Sequence, residues 1–261
     1  MTASSAAEAR APGLDLESRV PNASHSMQPD LPSGLVVRGF TPPLRLADFR
    51  LAAFDMDSTL INIECVDEIA AAVGLKAEVA AITEATMRGE IADFKESLRR
   101  RVALLKGVPE QALHEIWTNT LRLNPGVEAF LGALRAAGLK TLLVSGGFTF
   151  FSDRVAQRLA IDYTRANVLE IADGRLTGGL VTQAWGDICD GPEKQRMLLQ
   201  TCAALGISPA QAIAVGDGSN DLPMMGAAGL SIAYHAKPAV RAKAMLAINE
   251  GGMDTALAVL R

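Results

Sequence analysis

The apolar residues of this chain alternate between two kinds of segment, and the alternation predicts its architecture. Leu51–Phe54, 139–144, 212–215 and 230–233 are short and mostly apolar, as strands buried on both faces should be. Segments 126–137, 151–160 and 193–205 instead repeat apolar residues every three or four positions, the period of a helix with one buried face. Pro192, just ahead of the last, suits a first helical turn, where its missing N–H is not needed. Residues 168–171 and 176–181 flank Asp173-Gly174, a pair that favours a hairpin turn. Together these segments predict an α/β fold: a Rossmann-like parallel sheet with helices on both faces.

One stretch breaks the alternation. Between the strands at Leu51–Phe54 and 139–144 the period stays helical, over 66–73 and 78–86 (separated at Gly74), then 93–106, then 111–120. The third of these stops at Gly107, with Pro109 beyond. A helical block between two strands of one sheet reads as an inserted cap. The expected organisation is a core over 34–62 and 124–261 and a helical cap domain over 63–123. Residues 34–50 suggest a short strand or arm. Residues 1–33, rich in Ala, Ser and Pro without a period, read as a disordered N-terminal extension.

Composition narrows the partners. The 261 residues carry 25 Lys and Arg against 29 Asp and Glu, a net charge of −4, with no basic stripe among sparse aromatics. No nucleic-acid partner is expected. No apolar run approaches the ~18–20 residues that cross a bilayer, so no membrane partner is expected either. Cys65, Cys189 and Cys202 show no CxxC spacing, which fits a reducing compartment. A soluble, cytoplasmic protein is the expectation. The sequence sets no oligomeric state, and a homodimer is compatible with it.

The ends of the strands carry the candidate chemistry. In an open α/β sheet ligands gather at the carboxyl ends of the strands, which is where Asp55 and Asp57 fall. Two carboxylates so close repel by about 4 kcal/mol at ~4 Å and an effective dielectric near 20, so a cation is expected with them. Hard oxygen ligands suit Mg²⁺. After the strand at 139–144 come Ser145, Gly146 and Gly147, whose bare N–H groups before a helix can receive a phosphate oxygen. The strand at 212–215 ends in Gly216-Asp217-Gly218-Ser219-Asn220-Asp221, two further carboxylates in a turn. Lys194, near a helix start, can reach a phosphate as a point charge. A nucleophilic carboxylate, a metal nest, a phosphate nest and a cation are what phosphoryl transfer requires.

DMDSTL (55–60), SGGF (145–148), Lys194 and GDGSND (216–221) resemble, in order, the four motifs of the haloacid dehalogenase superfamily. Glu64, Val66-Asp-Glu-Ile69, 83–89 and the run from Phe94 through Arg101 narrow the likeness to its phosphoserine phosphatase family. The resemblance covers Leu51 to the C-terminus. It implies a phosphoric monoester hydrolase that releases serine and phosphate from O-phosphoserine through an aspartyl-phosphate, the last step of L-serine biosynthesis. Asp55 would be the nucleophile and Asp57 the proton carrier. The Asp55 and Asp217 carboxylates and the Asp57 carbonyl would hold Mg²⁺, with Asp221 orienting waters or Lys194. Lys194, Ser145, Gly146 and Asn220 would meet the phosphate.

Such a substrate also presents an ammonium and a carboxylate, which Glu64 and Arg101 can bind. At ~100° per residue Phe94, Leu98, Arg101 and Leu105 share one stripe, so Arg101 rather than Arg100 faces inward. Met87 and Phe94 would add an apolar lid, although their spacing is one residue longer than the family pattern. Two other readings of the same residues stay open: a relative that acts on another phosphate or passes the phosphoryl group to an alcohol, and a non-catalytic sensor of phospho-ligands.

Overall fold

The computed structural model describes residues 31–261 apart from Gly89 and Ala92. The extension expected over 1–33 therefore falls almost wholly outside the described residues. Eight strands, β1 (Leu35–Val37), β2 (Leu51–Phe54), β3 (Lys140–Phe148), β4 (Tyr163–Ala172), β5 (Arg175–Val181), β6 (Ala212–Gly216), β7 (Leu230–Tyr234) and β8 (Leu246–Ile248), form one sheet. Their spatial order is β1-β8-β7-β6-β2-β3-β4-β5. Only the edge strands β1 and β5 pair antiparallel. The chain runs outward from β2 through β3 and β4, then returns to β6 on the other side of β2. That reversal makes the carboxyl ends of β2, β3 and β6 a topological switch point, the usual ligand crevice of such sheets.

Strands β2, β6 and β7 are buried along their whole length because both faces of the sheet are covered there. Ala52 and Phe54 of β2 join one buried cluster with Phe130 and Leu134 of α5 (Val127–Ala136) and Phe151 and Val155 of α6 (Thr149–Leu159). Leu51 and Ala53 point the other way. They join Leu198 and Cys202 of α7 (Gly191–Ala204), Met224 of α8 (Leu222–Ala227) and Val240 of α9 (Pro238–Lys243). The β4–β5 hairpin turns on Asp173 (φ 52°) and Gly174 (φ 70°), a left-handed pair that follows the strand twist.

Between β2 and β3 lie α1 (Cys65–Ala72), α2 (Lys76–Met87), α3 (Phe94–Leu104) and α4 (Glu110–Glu115). The Asp93 side chain caps α3 by accepting from the Lys95 N–H, and Leu98 and Val102 form its buried face. The far end of α3 is tied to β5: the Gly107 N–H donates to the Leu176 carbonyl at 2.8 Å and the Leu176 N–H to that of Val108 at 2.9 Å. At its near end, Lys95 Nζ lies 2.8 Å from Asp187 Oδ1.

Two expectations need correction. The helix expected over 111–120 ends at Glu115, and Ile116–Thr120 widen into a π turn closed by the Leu121 N–H on the Ile116 carbonyl at 2.9 Å. Thr118, Asn119 and Thr120 favour leaving the regular ladder there. The strand expected over 139–144 continues to Phe148. Strand β8 and helices α8 and α9 were also not foreseen, because three to six residues are too few to show a period.

Phe130 is fully buried with its ring edge-on to Phe54, centroids 6.2 Å apart, one residue before Asp55. Phe130→Ala should therefore cost about 3–5 kcal/mol of unfolding free energy, read as a lowered urea midpoint. A loss below about 1 kcal/mol would mean the core beneath β2 is far looser than it appears.

Candidate active site

Loops converge because β2, β3 and β6 are neighbours. Asp55 continues β2, its N–H donating to the Val215 carbonyl at 3.0 Å, so its carboxylate leaves the sheet in a fixed direction. The chain then turns sharply: the N–H groups of Thr59, Leu60 and Ile61 gather on the Met56 carbonyl, and Ser58 adopts φ 56°. This brings Asp57 beneath the start of α1. Cys65 donates to Asp57 Oδ2 from its N–H at 3.0 Å and to Oδ1 from its thiol at 3.1 Å, so one residue fixes both oxygens. Glu64 directly precedes α1 and accepts from Ser58 Oγ at 2.7 Å.

Lys194 is fully buried on α7, and its Nζ donates to Asp55 Oδ1 and Asp221 Oδ1, each at 2.6 Å. Helix α7 begins at the right place because the Asp190 side chain accepts from the Glu193 N–H at 2.9 Å, with Pro192 in the first turn. The other Asp221 oxygen accepts from the Asp217 and Gly218 N–H groups at 3.1 and 2.9 Å, which wraps the loop around it. A Cβ at Gly216 would stand 2.5 Å from the Asp221 carboxyl carbon, so only glycine fits. Asp217 faces the crevice, with Oδ1 accepting from Thr59 Oγ1 at 3.2 Å.

The phosphate nest expected at a strand-to-helix turn is instead a bulge within β3. Pairing with β4 shifts register between Val144 and Phe148, and α6 begins only at Thr149. Asn167 of β4 fills the gap, donating to the Gly146 carbonyl at 2.7 Å and accepting from the Cys189 N–H at 2.8 Å. Ser145 Oγ accepts from the Gly147 N–H at 2.9 Å.

A cavity of about 430 Å³ opens over these loops. Asp55, Asp57, Ser145, Gly146, Asp217 and Asn220 line one end, and Glu64, Phe94 and Arg101 line the helical side. Phe94 closes on the bulge: a Cβ at Gly146 would lie 3.1 Å from its Cζ. Lys194 and Asp221 lie beneath the cavity floor, behind Asp55. Met87 ends α2, and its side chain is outside the described residues. Four further contributors carried no role in the sequence reading: Cys65, Asn167, Asp67 and Lys237. Lys237 lines the cavity, and its N–H donates to the Asp217 carbonyl at 3.1 Å. It follows β7, next to β6, and the rule that ligands sit at strand ends could have flagged it.

Residues 49–229 match the family model for haloacid dehalogenase-like hydrolases. The chain is 67% identical over 236 residues to a phosphoserine phosphatase of Polaromonas sp., covering 90% of this chain and 100% of that one. It is 68% identical over 224 residues to a phosphoserine phosphatase of Albidiferax ferrireducens, covering 86% and 94%. The chain belongs to the phosphoserine phosphatase family of haloacid dehalogenase-like hydrolases. A solved phosphoserine phosphatase of this family, an analogue of the phospho-aspartyl intermediate, shares the fold at a TM-score of 0.75 and 35% identity, covering 82% of this chain and 99% of that one.

The electrostatics of this family member centre on Lys194. Burial alone would lower its pKa, but Asp221 and Asp55 outweigh burial and hold the ammonium above its ordinary value. Burial and Asp221 raise Asp55 well above the usual carboxylate range, against the pull of Lys194. Asp57 is pushed up to about 7 by burial and by Glu64, with the Cys65 donors opposing. Asp217 is likewise pushed up to about 7 by burial, Asp221 and Glu64. Asp55, Asp217 and Asp221 bring carboxylate oxygens within 4.8 Å of one another. Asp221 is already engaged by Lys194 and two N–H groups, so Asp55 and Asp217 keep oxygens to offer. All-oxygen donors crowded until they resist ionisation fit a hard divalent cation.

The sign of the pH dependence follows. Asp57 and Asp217, with folded pKa values about 7 against an ordinary 3.8, stabilise the ion-free fold below about pH 4, and this contribution is lost as pH rises through about 7. A cation bound to the ionised carboxylates restores stability in that upper range. Millimolar Mg²⁺ should therefore raise the melting temperature more at about pH 7.5 than at about pH 5.5. An equal rise at both values would contradict this reading of the carboxylates.

Proposed function

We propose that the chain is a Mg²⁺-dependent phosphoserine phosphatase, hydrolysing O-phosphoserine to serine and phosphate in the cytoplasm as the last step of L-serine biosynthesis. The observation that carries this reading is one cavity lined by two chemically distinct sets of groups, one from the strand ends and one from the inserted helices. The strand ends supply Asp55 and Asp57, and the helical side supplies Glu64 and Arg101, whose buried Nε has no hydrogen-bond partner among the described residues. The names of the relatives and their identity over nearly the whole chain support the same substrate. Among the described residues no helix is long and apolar enough to cross a membrane.

The chemistry assigns each side chain a task. Asp55 is the nucleophile: the Lys194 hydrogen bond holds Oδ1, leaving Oδ2 to bond phosphorus as the bond to the serine oxygen breaks. Asp57, near neutrality when burial and Glu64 act on it, gives its proton to that departing oxygen. In the second step a water attacks phosphorus, the aspartyl bond breaks, and Asp57 takes the water's proton. Ser145 and the Gly146 N–H hold a phosphate oxygen at the β3 bulge, and Asn220 contacts the phosphate from the β6 loop. The Asp55 and Asp217 carboxylates with the Asp57 carbonyl would hold Mg²⁺, which would supply charge neutralisation for the phosphate. Asp221 fixes Lys194. Glu64 takes the substrate ammonium and Arg101 its carboxylate, while Phe94 excludes water.

Asp55→Asn should abolish phosphate release from O-phosphoserine while preserving the circular-dichroism melt; retained turnover would remove the nucleophile assignment. Arg101→Ala should raise KM for O-phosphoserine by about tenfold or more and alter KM for p-nitrophenyl phosphate far less, since only the former has a carboxylate to lose. Equal changes on the two esters would exclude Arg101 from substrate choice.

A further inference from the structure

Two opposite charges are stranded at the helical end of the cavity. Arg101 Nε and Asp67 Oδ1 are both buried, and neither atom has a hydrogen-bond partner among the described residues. Both residues line the cavity. Asp67 sits in the first turn of α1, three residues beyond Glu64, which precedes the helix, and both carboxylates line the cavity. Among the carboxylates acting on the Arg101 guanidinium, Asp67 is the strongest, ahead of Glu64 and Asp57. No ion pair joins Asp67 and Arg101 among the described residues. A buried donor and a buried acceptor that do not satisfy each other are costly to leave unmatched.

A ligand that satisfies both must carry an anion for Arg101 and, next to it, a cationic donor for Asp67. The α-carboxylate and α-ammonium of an amino acid are such a pair. A ligand with the carboxylate alone would satisfy Arg101 but set a second negative charge beside Asp67. One Glu64 oxygen is already taken by Ser58, so an ammonium with three N–H donors has use for another carboxylate.

We propose that Asp67 is a specificity-determining residue that makes the site demand an ammonium beside the carboxylate: it accepts a hydrogen bond from the substrate ammonium together with Glu64, and it repels phosphate esters that carry a carboxylate without an ammonium. This rests on the reading that the substrate is an amino-acid phosphate. It differs from a role in merely orienting Arg101, because loss of an orienting residue weakens every carboxylate-bearing ester, whereas loss of a repelling charge favours those without an ammonium.

The test compares the wild-type enzyme with Asp67→Asn, in Mg²⁺, on four esters: O-phosphoserine, its deamino analogue 3-phosphonooxypropanoate, O-phosphoethanolamine and p-nitrophenyl phosphate. Asp67→Asn should raise KM for O-phosphoserine and O-phosphoethanolamine by about tenfold or more and should lower KM for the deamino analogue. A rise for the deamino analogue matching that for O-phosphoserine would overturn the proposal in favour of an orienting role. A similar loss on all four esters would also overturn it. Should Asp67→Asn not fold, Asp67→Ser is carried through the same panel with the same criteria. The underlying substrate reading fails separately: a wild-type enzyme with no preference for O-phosphoserine over p-nitrophenyl phosphate would sink it whatever the variant does.

Discussion

The ammonium of Lys194, buried and bonded to Asp55 and Asp221, is the contact on which the site depends. Asp55, Asp57, Asp217 and Asp221 come together where β2 and β6 end, and burial with neighbouring carboxylates raises the pKa values of the first three. A buried charge without a partner costs several kcal/mol, so the loops could not hold this arrangement with polar turns alone. Lys194 ties a helix on one face of the sheet to the tips of two strands. Asp221 then orders the β6 loop through the Asp217 and Gly218 N–H groups, which sets the direction of the Asp217 carboxylate. Asp55, Asp217 and the shape of the β6 loop thus share one electrostatic anchor.

The sheet supplies the rigidity that this anchor requires. Strand β2 is fully buried on both faces, flanked in parallel by β3 and β6, and all three strands deliver their carboxyl ends to the same crevice. Above the crevice, α1 contributes Glu64, Cys65 and Asp67 within four successive positions, while α3 contributes Phe94 and Arg101. The strand ends thus line the cavity with aspartates, and the helices inserted between β2 and β3 line it with Glu64, Phe94 and Arg101. Phe94, against Gly146, is where the two meet.

Legibility in the sequence followed the range of the interactions. Asp55, Asp57 and Asp217 could be read because they follow short apolar runs at strand ends, and Ser145 because it follows an apolar run, although β3 continues past it. The inward turn of Arg101 was legible from helical phase, and the structure places it on the cavity while Arg99 and Arg100 pair with Asp187 and Glu96 at the surface. Lys194 carried only a weak local signal, its place near a helix start, since its partners lie 139 and 27 residues away; the family motif strengthened it. Asn167 and Cys65 escaped notice because their value lies in single hydrogen bonds across the fold. The β3 bulge was missed for a similar reason: the register shift depends on what Asn167 offers from the neighbouring strand.

The most direct test of the anchor is a double-mutant cycle on Lys194 and Asp221, measured by urea unfolding without metal. Lys194→Met alone should cost about 3–5 kcal/mol, because it leaves buried carboxylates unpaired. With Asp221→Asn already present the same change should cost less, giving a coupling of about 1–3 kcal/mol. If the two losses simply add, the ammonium is not what holds these carboxylates together, and the account of the site is wrong.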